Sequence, residues 1–201
     1  MQNVKNTTIL DRYKIKYLFH MTHIDNLSSI LQHGLLPHGN PYKKKDISNY
    51  DVNSRRARRE PVYGKQIHDY VPLYFNPRNP MLYSRRDIQD DIVILVLKRE
   101  LVFTKKCIFT NGNASANKIK FADEVDDFDD SRFIDWDCVH GKYWIDSEEG
   151  KRKIMAEVLV PNKVSIDNIE GILCNNHKTK KKIDAITKER FESFVRPDFY
   201  F

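Results

Sequence analysis

The sequence predicts a single α+β domain, and three observations lead to that class. The chain has 201 residues, enough for one domain that buries roughly 70% of its unfolded surface. Its residues are 40% hydrophobic and 11% aromatic, which excludes a disordered or fibrous chain. Segments typical of strands and helices follow one another without regular strand–helix–strand alternation, so a doubly wound parallel sheet is not expected.

Glycine usage excludes two common nucleotide-binding motifs. The chain has only 7 glycines and no two of them are separated by one residue, so neither GxGxxG nor GxxxxGK[ST] occurs. Any nucleotide must therefore be held by something other than a Rossmann turn or a P-loop. The net charge of +6 suits a polyanionic partner without requiring one.

The lack of a signal peptide or membrane span in the sequence, together with its scattered cysteines, favours a cytoplasmic protein. The first residues, MQNVKNTTILDRYKIKYLF, are broken by charges and do not form a signal peptide. No apolar run approaches the roughly 18 residues of a membrane span, so no membrane association is expected. The 3 cysteines are scattered and form no CxxC pair, which is typical of free thiols in a reducing compartment. We expect a monomer.

The first part of the chain predicts a strand and a helix. A strand covers 17–19 and ends at His20. Apolar residues at helical spacing then predict a helix over 24–33, which Thr22 begins in a capping-box spacing and Gly34 ends.

A basic segment follows over 41–60. It holds seven Lys and Arg against three Asp and Glu, and a short helix is predicted over about 48–59. A solvated loop is the ordinary interpretation of such a charge run. The next segment, 70–75, predicts a strand with Pro72 near an edge or bend.

The second half supplies the remaining elements. The apolar run 92–97 predicts a buried central strand, and a second strand is predicted over 153–160. Between them lie a loop at 111–117 and an acidic stretch at 123–130, which matches no calcium-binding loop and is interpreted as solvated. The chain closes with a short helix near 165–169, a strand at 171–174, a helix over 178–190 and a tail, FVRPDFYF, that forms a last strand or packs on the domain.

Glu157 is the most informative candidate for chemistry. It lies in an otherwise apolar segment, on the predicted face of Lys153, Met155 and Leu159, where burial of a carboxylate is costly. If that face opens into a cleft, the same setting makes Glu157 a strong electrostatic and general-base group. The alternative is a glutamate on a solvent face, paired with Lys153 or Arg152.

Polar and aromatic side chains elsewhere are candidates for ligand binding. His20 and Thr22 could hold a ribose or an amide through hydrogen bonds, whereas His20 and His23 alone make a weak metal site. Tyr74 and Tyr83 could sandwich a flat ring. A structural histidine and half-buried core tyrosines are the alternatives.

Arginines in two places are candidates for phosphate binding, because a guanidinium clamps a phosphate through two hydrogen bonds and stays charged when buried. Arg55 and Arg56 lie in the basic segment. Spacing alone does not select one of them, and solvated surface arginines are the alternative. Arg78 lies in the turn between Tyr74 and Tyr83.

Five segments together resemble the DarT family, which are toxins of bacterial toxin–antitoxin systems that ADP-ribosylate DNA. They are FHMTHIDNLSSIL (19–31), SRRARR (54–59), HDYVPLYFNPRNPMLY (68–83), YW (143–144) and KRKIMAEVLV (151–160). The resemblance covers nearly the whole chain in the right order, and the third string is long and specific.

The resemblance implies an ADP-ribosyltransferase fold, with two packed, mostly antiparallel sheets and peripheral helices around a cleft for NAD. It implies Glu157 and Arg56 as the catalytic pair and 41–60 as a substrate loop. The residues implied to contact NAD are His20, Thr22, Asn26, Tyr74 and Tyr83. The residues implied to contact single-stranded DNA are Lys44, Arg55, Arg59 and Arg78.

The implied reaction is the transfer of ADP-ribose from NAD to a base, expected to be thymine, in single-stranded DNA. No metal is expected, and the implied partner is a DarG-like macrodomain antitoxin that removes the modification. Three alternatives stay open: an RNA-modifying transferase of the same fold, a metal-dependent nuclease and a non-catalytic nucleic-acid-binding module. The nuclease is disfavoured because Glu157-Val158-Leu159 lacks the E-x-K arrangement.

Overall fold

An eight-stranded sheet forms the centre of the protein in a computed structural model that describes residues 8–48, 50–130, 132–144 and 147–201. The strands are β1 (Tyr17–His23), β2 (Tyr70–Tyr74), β3 (Ile92–Lys98), β4 (Ile108–Thr110), β5 (Phe121–Ala122), β6 (Glu157–Pro161), β7 (Ile169–Cys174) and β8 (Ser193–Val195). Their order is β5-β4-β6-β2-β1-β3-β7-β8. Every neighbouring pair is antiparallel except β7 and β8. The predicted α+β class is confirmed.

The sheet divides into two four-stranded halves at the boundary between β1 and β2. β1 pairs with β3 along its whole length, but it meets β2 only at Phe19 and Tyr74. The side chain of His20 reaches across this boundary and donates from Nδ1 to the carbonyl oxygen of Pro72, at 2.9 Å. The two sheets implied by the resemblance are thus joined at a single residue pair.

Pro72 explains why the boundary opens where it does. β2 is an inner strand, so the edge position, one of the two settings expected for Pro72, is excluded. The N–H and C=O of one strand residue face the same neighbour, and the carbonyl of Pro72 faces β1. The N–H that proline lacks therefore falls on the opened side, where no ladder hydrogen bond is lost.

Short helices cover the sheet. They are α1 (Leu27–His33), α2 (Tyr50–Arg56), α3 (Pro80–Tyr83), α4 (Trp136–His140), α5 (Glu148–Lys153) and α6 (His177–Thr187). A 3-10 turn, Ile24–Asn26, precedes α1 and completes the predicted helix 24–33. Its cap is His23, whose Nδ1 accepts from the backbone N–H of Asp25, and not Thr22 as predicted. Gly34 ends α1 with a φ of 80°, which favours glycine.

The run 92–97 is buried and central, as predicted, because both faces of β3 are covered. Val93, Leu95 and Leu97 lie in the main hydrophobic cluster, which α1 and α6 cover. Ile92, Ile94 and Val96 lie in a second cluster on the opposite face. A strand buried on both faces has no polar positions, which accounts for the continuous apolar sequence.

Three predicted boundaries were wrong. β1 continues beyond His20 to His23, because β3 offers a partner for every residue. The predicted strand 153–160 begins only at Glu157, since 148–153 form α5. A helix forms here in place of the predicted strand because Ser147 caps it. Its acidic first turn and basic last turn also interact favourably with the helix dipole. The predicted helix 48–59 is limited to α2, and residue 49 lies outside the described residues.

The C-terminal part follows the predicted order. A 3-10 turn, Ile166–Asn168, precedes β7, and α6 takes the place of the helix predicted over 178–190. The tail forms β8 and then packs as a 3-10 turn, Pro197–Phe199. The acidic stretch 123–130 is not wholly solvated, because Phe128 is fully buried in the main cluster. Within the described residues, no helix is long and apolar enough to span a membrane.

Candidate active site

A cavity of about 360 Å³ opens where the two halves of the sheet separate. His20 and Thr22 of β1 line it on one side, and Pro72 and Tyr74 of β2 line it on the other. Its outer wall comes from the segment between α1 and α2, its floor includes Arg56, and α3 closes one end. The volume lies within the range of small-molecule sites.

A buried ion pair lies at the floor of this cavity. Arg56 Nη1 donates to Glu157 Oε1 at 3.1 Å, and Arg56 Nη2 donates to Glu157 Oε2 at 2.8 Å. Glu157 is 0% exposed and Arg56 is 8% exposed. The solvent-face alternative for Glu157 was therefore wrong, and its expected partners have others: Arg152 pairs with Glu149, and Lys153 pairs with Asp135.

Arg56, and not Glu157, lines the cavity in this conformation. Burial lowers the pKa of the Arg56 guanidinium, but the carboxylate of Glu157 outweighs burial and leaves that pKa above its ordinary value. The two side chains together form a closed, charge-balanced unit, because each satisfies the hydrogen bonds of the other. Spacing could not choose between Arg55 and Arg56, whereas the structure brings Arg56 inside and leaves Arg55 exposed.

Glu157 is held from a second side by the loop 111–117. The backbone N–H of Ala114 donates to Glu157 Oε1 at 2.9 Å. The hydroxyl of Thr110 accepts from the backbone N–H of Glu157 at 3.1 Å and donates to the carbonyl of Gly112 at 2.7 Å. Three hydrogen bonds on the carboxylate thus fix its position. Ala114 carries no signal in the sequence, because the donor is a backbone group.

Arg58 is a second residue that sequence reasoning missed. Its Nη2 donates to the carbonyl oxygens of Ala114 and Ala116, at 2.8 and 2.6 Å. It therefore ties the arginine-bearing segment to the loop that holds Glu157. The repeated arginines of SRRARR are the signal that could have identified it.

His20 and Tyr74 face the cavity with perturbed acidities. Burial lowers the pKa of His20 below its usual range; the hydrogen bond to Pro72 opposes this effect, and the charge of Arg56 adds to it. A neutral His20 that donates from Nδ1 leaves Nε2 as an acceptor. Burial, followed by the charge of Glu157, raises the pKa of Tyr74 and keeps its hydroxyl protonated.

Asn26 lines the cavity, but its hydrogen-bonding capacity is already used. Its Nδ2 donates to Thr22 Oγ1 at 3.0 Å and to the carbonyl of Lys45 at 2.7 Å. Its Oδ1 accepts from the backbone N–H groups of Lys44 and Lys45, at 2.8 and 2.9 Å. Asn26 thus anchors the outer wall of the cavity, a different role from the direct NAD contact that was expected.

Tyr83 does not reach the cavity, although Pro80 and Met81 of the same helix do. Its ring is 43% exposed and packs edge-on against Trp144 and Phe201, with centroid distances of 5.8 and 5.1 Å. The predicted sandwich of Tyr74 and Tyr83 was therefore wrong, because α3 turns the two rings to different sides.

The expected DNA contacts lie around the cavity, not inside it. Lys44 is exposed and donates to Ser28 Oγ at 3.0 Å, and Arg59 is exposed and donates to the carbonyl of Gly64 at 2.5 Å. Arg78 lies over the ring of Phe201, with Cζ 3.9 Å from the centroid. These positions suit contact with a chain that passes over the surface.

Two stacked histidines complete the outer wall. The rings of His38 and His68 lie 4.5 Å apart with an angle of 17° between their planes, and both line the cavity. Lys43 Nζ lies 3.1 Å from His38 Nδ1. The pair carries no signal in the sequence, because 30 positions separate the two histidines in the chain.

We expect the free energy of unfolding to fall as the pH drops from 6.5 towards about 5. Burial holds the pKa of His20, His23, His38 and His68 below the ordinary value of 6.5. The unfolded chain therefore binds protons in this window that the folded chain does not, which favours unfolding. Urea unfolding across this range measures the slope, and His20→Asn should make it shallower. A stability that is constant or rises on acidification would contradict the expectation.

The two halves of the sheet separate over a ligand-sized cavity beside a buried glutamate–arginine pair, which agrees with the ADP-ribosyltransferase class that the resemblance implies. Comparison with known proteins identifies the family within that class. The family model described as "ssDNA thymidine ADP-ribosyltransferase, DarT" matches residues 19–201. The chain belongs to the DarT family, and it is a DNA ADP-ribosyltransferase.

Two solved structures and a curated relative are similar over most of the chain. The DarT of Thermus sp. 2.9 in complex with ADP-ribosylated single-stranded DNA is 29% identical, with a TM-score of 0.83 and coverage of 94% of this chain and 97% of that one. The same Thermus protein in complex with NAD+ is 30% identical, with a TM-score of 0.80 and coverage of 93% and 98%. A DNA ADP-ribosyl transferase–DNA ADP-ribosyl glycohydrolase fusion protein of Thermosipho africanus is 28% identical over 197 residues, which cover 94% of this chain and 50% of that protein.

Proposed function

We propose that this chain transfers ADP-ribose from NAD to N3 of thymidine in single-stranded DNA, with Glu157 and Arg56 as its catalytic pair. The observation that carries the proposal is their buried, two-point ion pair at the floor of the cavity. The family assignment supports the reaction, and the Thermus structures with NAD+ and with ADP-ribosylated DNA support the donor and the acceptor.

The cavity suits a dinucleotide with a negatively charged pyrophosphate. Lys43 and Lys45 lie on its outer wall, and Arg56 lies at its floor. His20 Nε2 and the Thr22 hydroxyl, which lies in the same wall, can bond a ribose or a carboxamide. Tyr74 places an uncharged ring against the site, where a nicotinamide can pack. Backbone glycines are not needed for such binding, which fits the absence of a Gly-rich motif.

In the reaction, the bond between the nicotinamide nitrogen and the ribose carbon breaks, and nicotinamide leaves with the bonding electrons. Thymine N3 then forms the new bond to that carbon, and the N3 proton passes to Glu157. The carboxylate also stabilises the positive charge that develops on the ribose. A thymine imide is a weak nucleophile near neutral pH, so a positioned base is needed.

Arg56 determines when the Glu157 carboxylate is free to act as the base. The acceptor base gains negative charge as its proton leaves, and it then competes with Glu157 for the guanidinium. Arg56 can thus orient the base and stabilise its charge while the carboxylate becomes free to take the proton. A base inside a duplex cannot reach the cavity floor, which accounts for a single-stranded acceptor.

The proposed cellular role is that of a toxin that blocks replication by modifying DNA in the cytoplasm. The fusion protein of Thermosipho africanus joins a DNA ADP-ribosyl transferase to a DNA ADP-ribosyl glycohydrolase. By analogy, we propose a DarG-like macrodomain partner that removes the modification. A monomeric enzyme suffices for the reaction, because β1, β2 and α2 of one chain line the cavity and Glu157 of β6 in the same chain pairs with Arg56.

Mass spectrometry of oligonucleotides incubated with the protein and NAD tests the proposal. A single-stranded oligonucleotide with one thymidine should gain one ADP-ribosyl group. The matched oligonucleotide with N3-methylthymidine, which has no N3 proton, should remain unmodified. Modification of an RNA strand in preference to DNA would support the RNA-modifying alternative, and strand cleavage that requires Mg²⁺ but not NAD would support a nuclease.

A further inference from the structure

A cluster of aromatic and cationic side chains lies beside the cavity and takes no part in the catalytic floor. It consists of Tyr83, Tyr143, Trp144, Phe201 and Arg78, and we refer to it as the aromatic shelf. Tyr143 is 69% exposed and Tyr83 is 43% exposed. Large exposed aromatic rings that lie together are uncommon on a protein surface and indicate binding.

The shelf is built from alternating rings and cations. Arg78 Cζ lies 3.9 Å from the ring centroid of Phe201 and 5.3 Å from that of Tyr143. Arg86 Cζ lies 4.6 Å from the ring centroid of Tyr83. Flat guanidinium groups over aromatic faces hold the rings in place by cation–π attraction.

Further cations lie next to the shelf in the described part of the chain. Arg86 and Lys142 join Arg78 there, and Lys142 Nζ lies 5.6 Å from the ring centroid of Tyr143. The nearby Asp198 carboxylate is paired with Arg196 through hydrogen bonds of 2.8 and 2.7 Å. Exposed rings with cations beside them complement the stacked bases and phosphates of a single strand.

The shelf is connected to the cavity in two ways. Trp144 and Phe201 pack on the same hydrophobic cluster as Tyr74, whose ring lines the cavity. α3 carries Pro80 and Met81 on the cavity side and Tyr83 on the shelf side. A strand whose acceptor base enters the cavity can therefore continue past α3 to the shelf.

We infer that the aromatic shelf stacks bases of the single-stranded DNA that lie beyond the nearest neighbours of the acceptor thymidine. The inference deepens the proposed function and depends on it for the identity of the acceptor. Tyr143 and Tyr83 supply the rings, Arg78 supplies a flat cation that can stack and bind phosphate, and Trp144 with Phe201 supports them from below. Stacking requires a π face and no hydrogen-bonding code, so the shelf sets affinity for the strand and not the choice of base.

The test measures kcat and KM for ADP-ribosylation of two substrates. One is a single-stranded 20-mer, and the other is a trinucleotide with the acceptor thymidine at its centre. Tyr143→Ala and Tyr83→Ala should each raise KM for the 20-mer about tenfold, with kcat unchanged. KM for the trinucleotide and for NAD should stay the same, because neither ligand reaches the shelf. Tyr143→Phe should restore the wild-type KM, because it keeps the ring.

Tyr63→Ala is the matched control. Tyr63 is 37% exposed and also has a cation near its ring, Lys106 Nζ at 5.9 Å, but its hydroxyl donates to Asp123, the first residue of the acidic stretch. The Tyr63→Ala variant should leave KM for the 20-mer unchanged. An unchanged KM in the Tyr143→Ala, Tyr83→Ala double variant would overturn the inference, as would an equal loss on the trinucleotide. If the wild-type protein modifies no DNA, the proposed function fails, and fluorescence anisotropy of a labelled 20-mer on the same variants still decides whether the shelf binds a single strand.

Discussion

Glu157→Gln is expected to lower the rate of ADP-ribose transfer by about three orders of magnitude. The amide has the size of the carboxylate, but it cannot take the thymine proton and carries no charge to stabilise the ribose cation. NAD binding should change little, because Arg56 and not Glu157 lines the cavity. Labelled transfer to a single-stranded oligonucleotide measures the rate, and calorimetric titration with NAD measures binding.

The same substitution should lower the free energy of unfolding by about 3 kcal/mol or more, since it leaves the Arg56 charge buried without a counter-charge. Glu170→Gln, at an exposed strand position, is the matched control and should change neither quantity. The double variant Arg56→Met, Glu157→Gln removes the unpaired charge, so it should recover stability but not activity. Transfer at a rate near that of the wild type by Glu157→Gln would remove Glu157 from the mechanism.

Arg56→Ala should also abolish transfer and destabilise the fold, whereas Arg56→Lys should separate the two effects. The alanine variant leaves Glu157 with Ala114 as its hydrogen-bond donor in a fully buried site, at a cost of about 3–5 kcal/mol. The lysine variant keeps the charge and most of that stability, but it lacks the flat two-point donor. We therefore expect kcat for transfer to fall at least about a hundredfold in the lysine variant, with KM for DNA nearly unchanged.

The split between kcat and KM distinguishes this role from simple phosphate binding. An arginine that only binds the DNA backbone would raise KM and leave turnover at saturating DNA intact. Arg132→Ala, whose side chain is 87% exposed, is the surface control for the loss of one positive charge. If Arg56→Lys retains full turnover, a guanidinium at this position is not required for catalysis.

Elements whose local pattern and burial agree could be predicted from the sequence. The apolar run of β3 matches a strand covered on both faces, and Gly34 matches the left-handed end of α1. The boundary of β6 could not be predicted, because the residues before Glu157 carry both an alternating pattern and the caps of a helix. The segment forms the helix α5, because Ser147 Oγ accepts from the backbone N–H of Gly150 at 3.0 Å and caps the helix.

The candidate site also has residues that could be predicted from the sequence and residues that could not. The residue types made Glu157 a candidate for chemistry with a solvent-face alternative, and the family resemblance implied Arg56 as its partner. A choice between Arg55 and Arg56 from geometry required the end of α2 to be located relative to β6. The position of Tyr83 also required the tertiary structure. Its spacing from Tyr74 made it a candidate for ligand binding, but α3 turns its ring towards Trp144 and Phe201.

The sequence by itself determined the α+β class and the family resemblance, and through that resemblance it implied the proposed catalytic pair, because these depend on local periodicity and on the identity of single residues. Only the tertiary structure decided that Arg56 closes over Glu157 across 101 positions of the chain, that Ala114 supplies a backbone donor and that the sheet opens at Pro72. These features arise from contacts between segments far apart in the sequence. Local patterns carry no information on which distant segments meet, because burial and pairing energies are decided only when the sheet assembles.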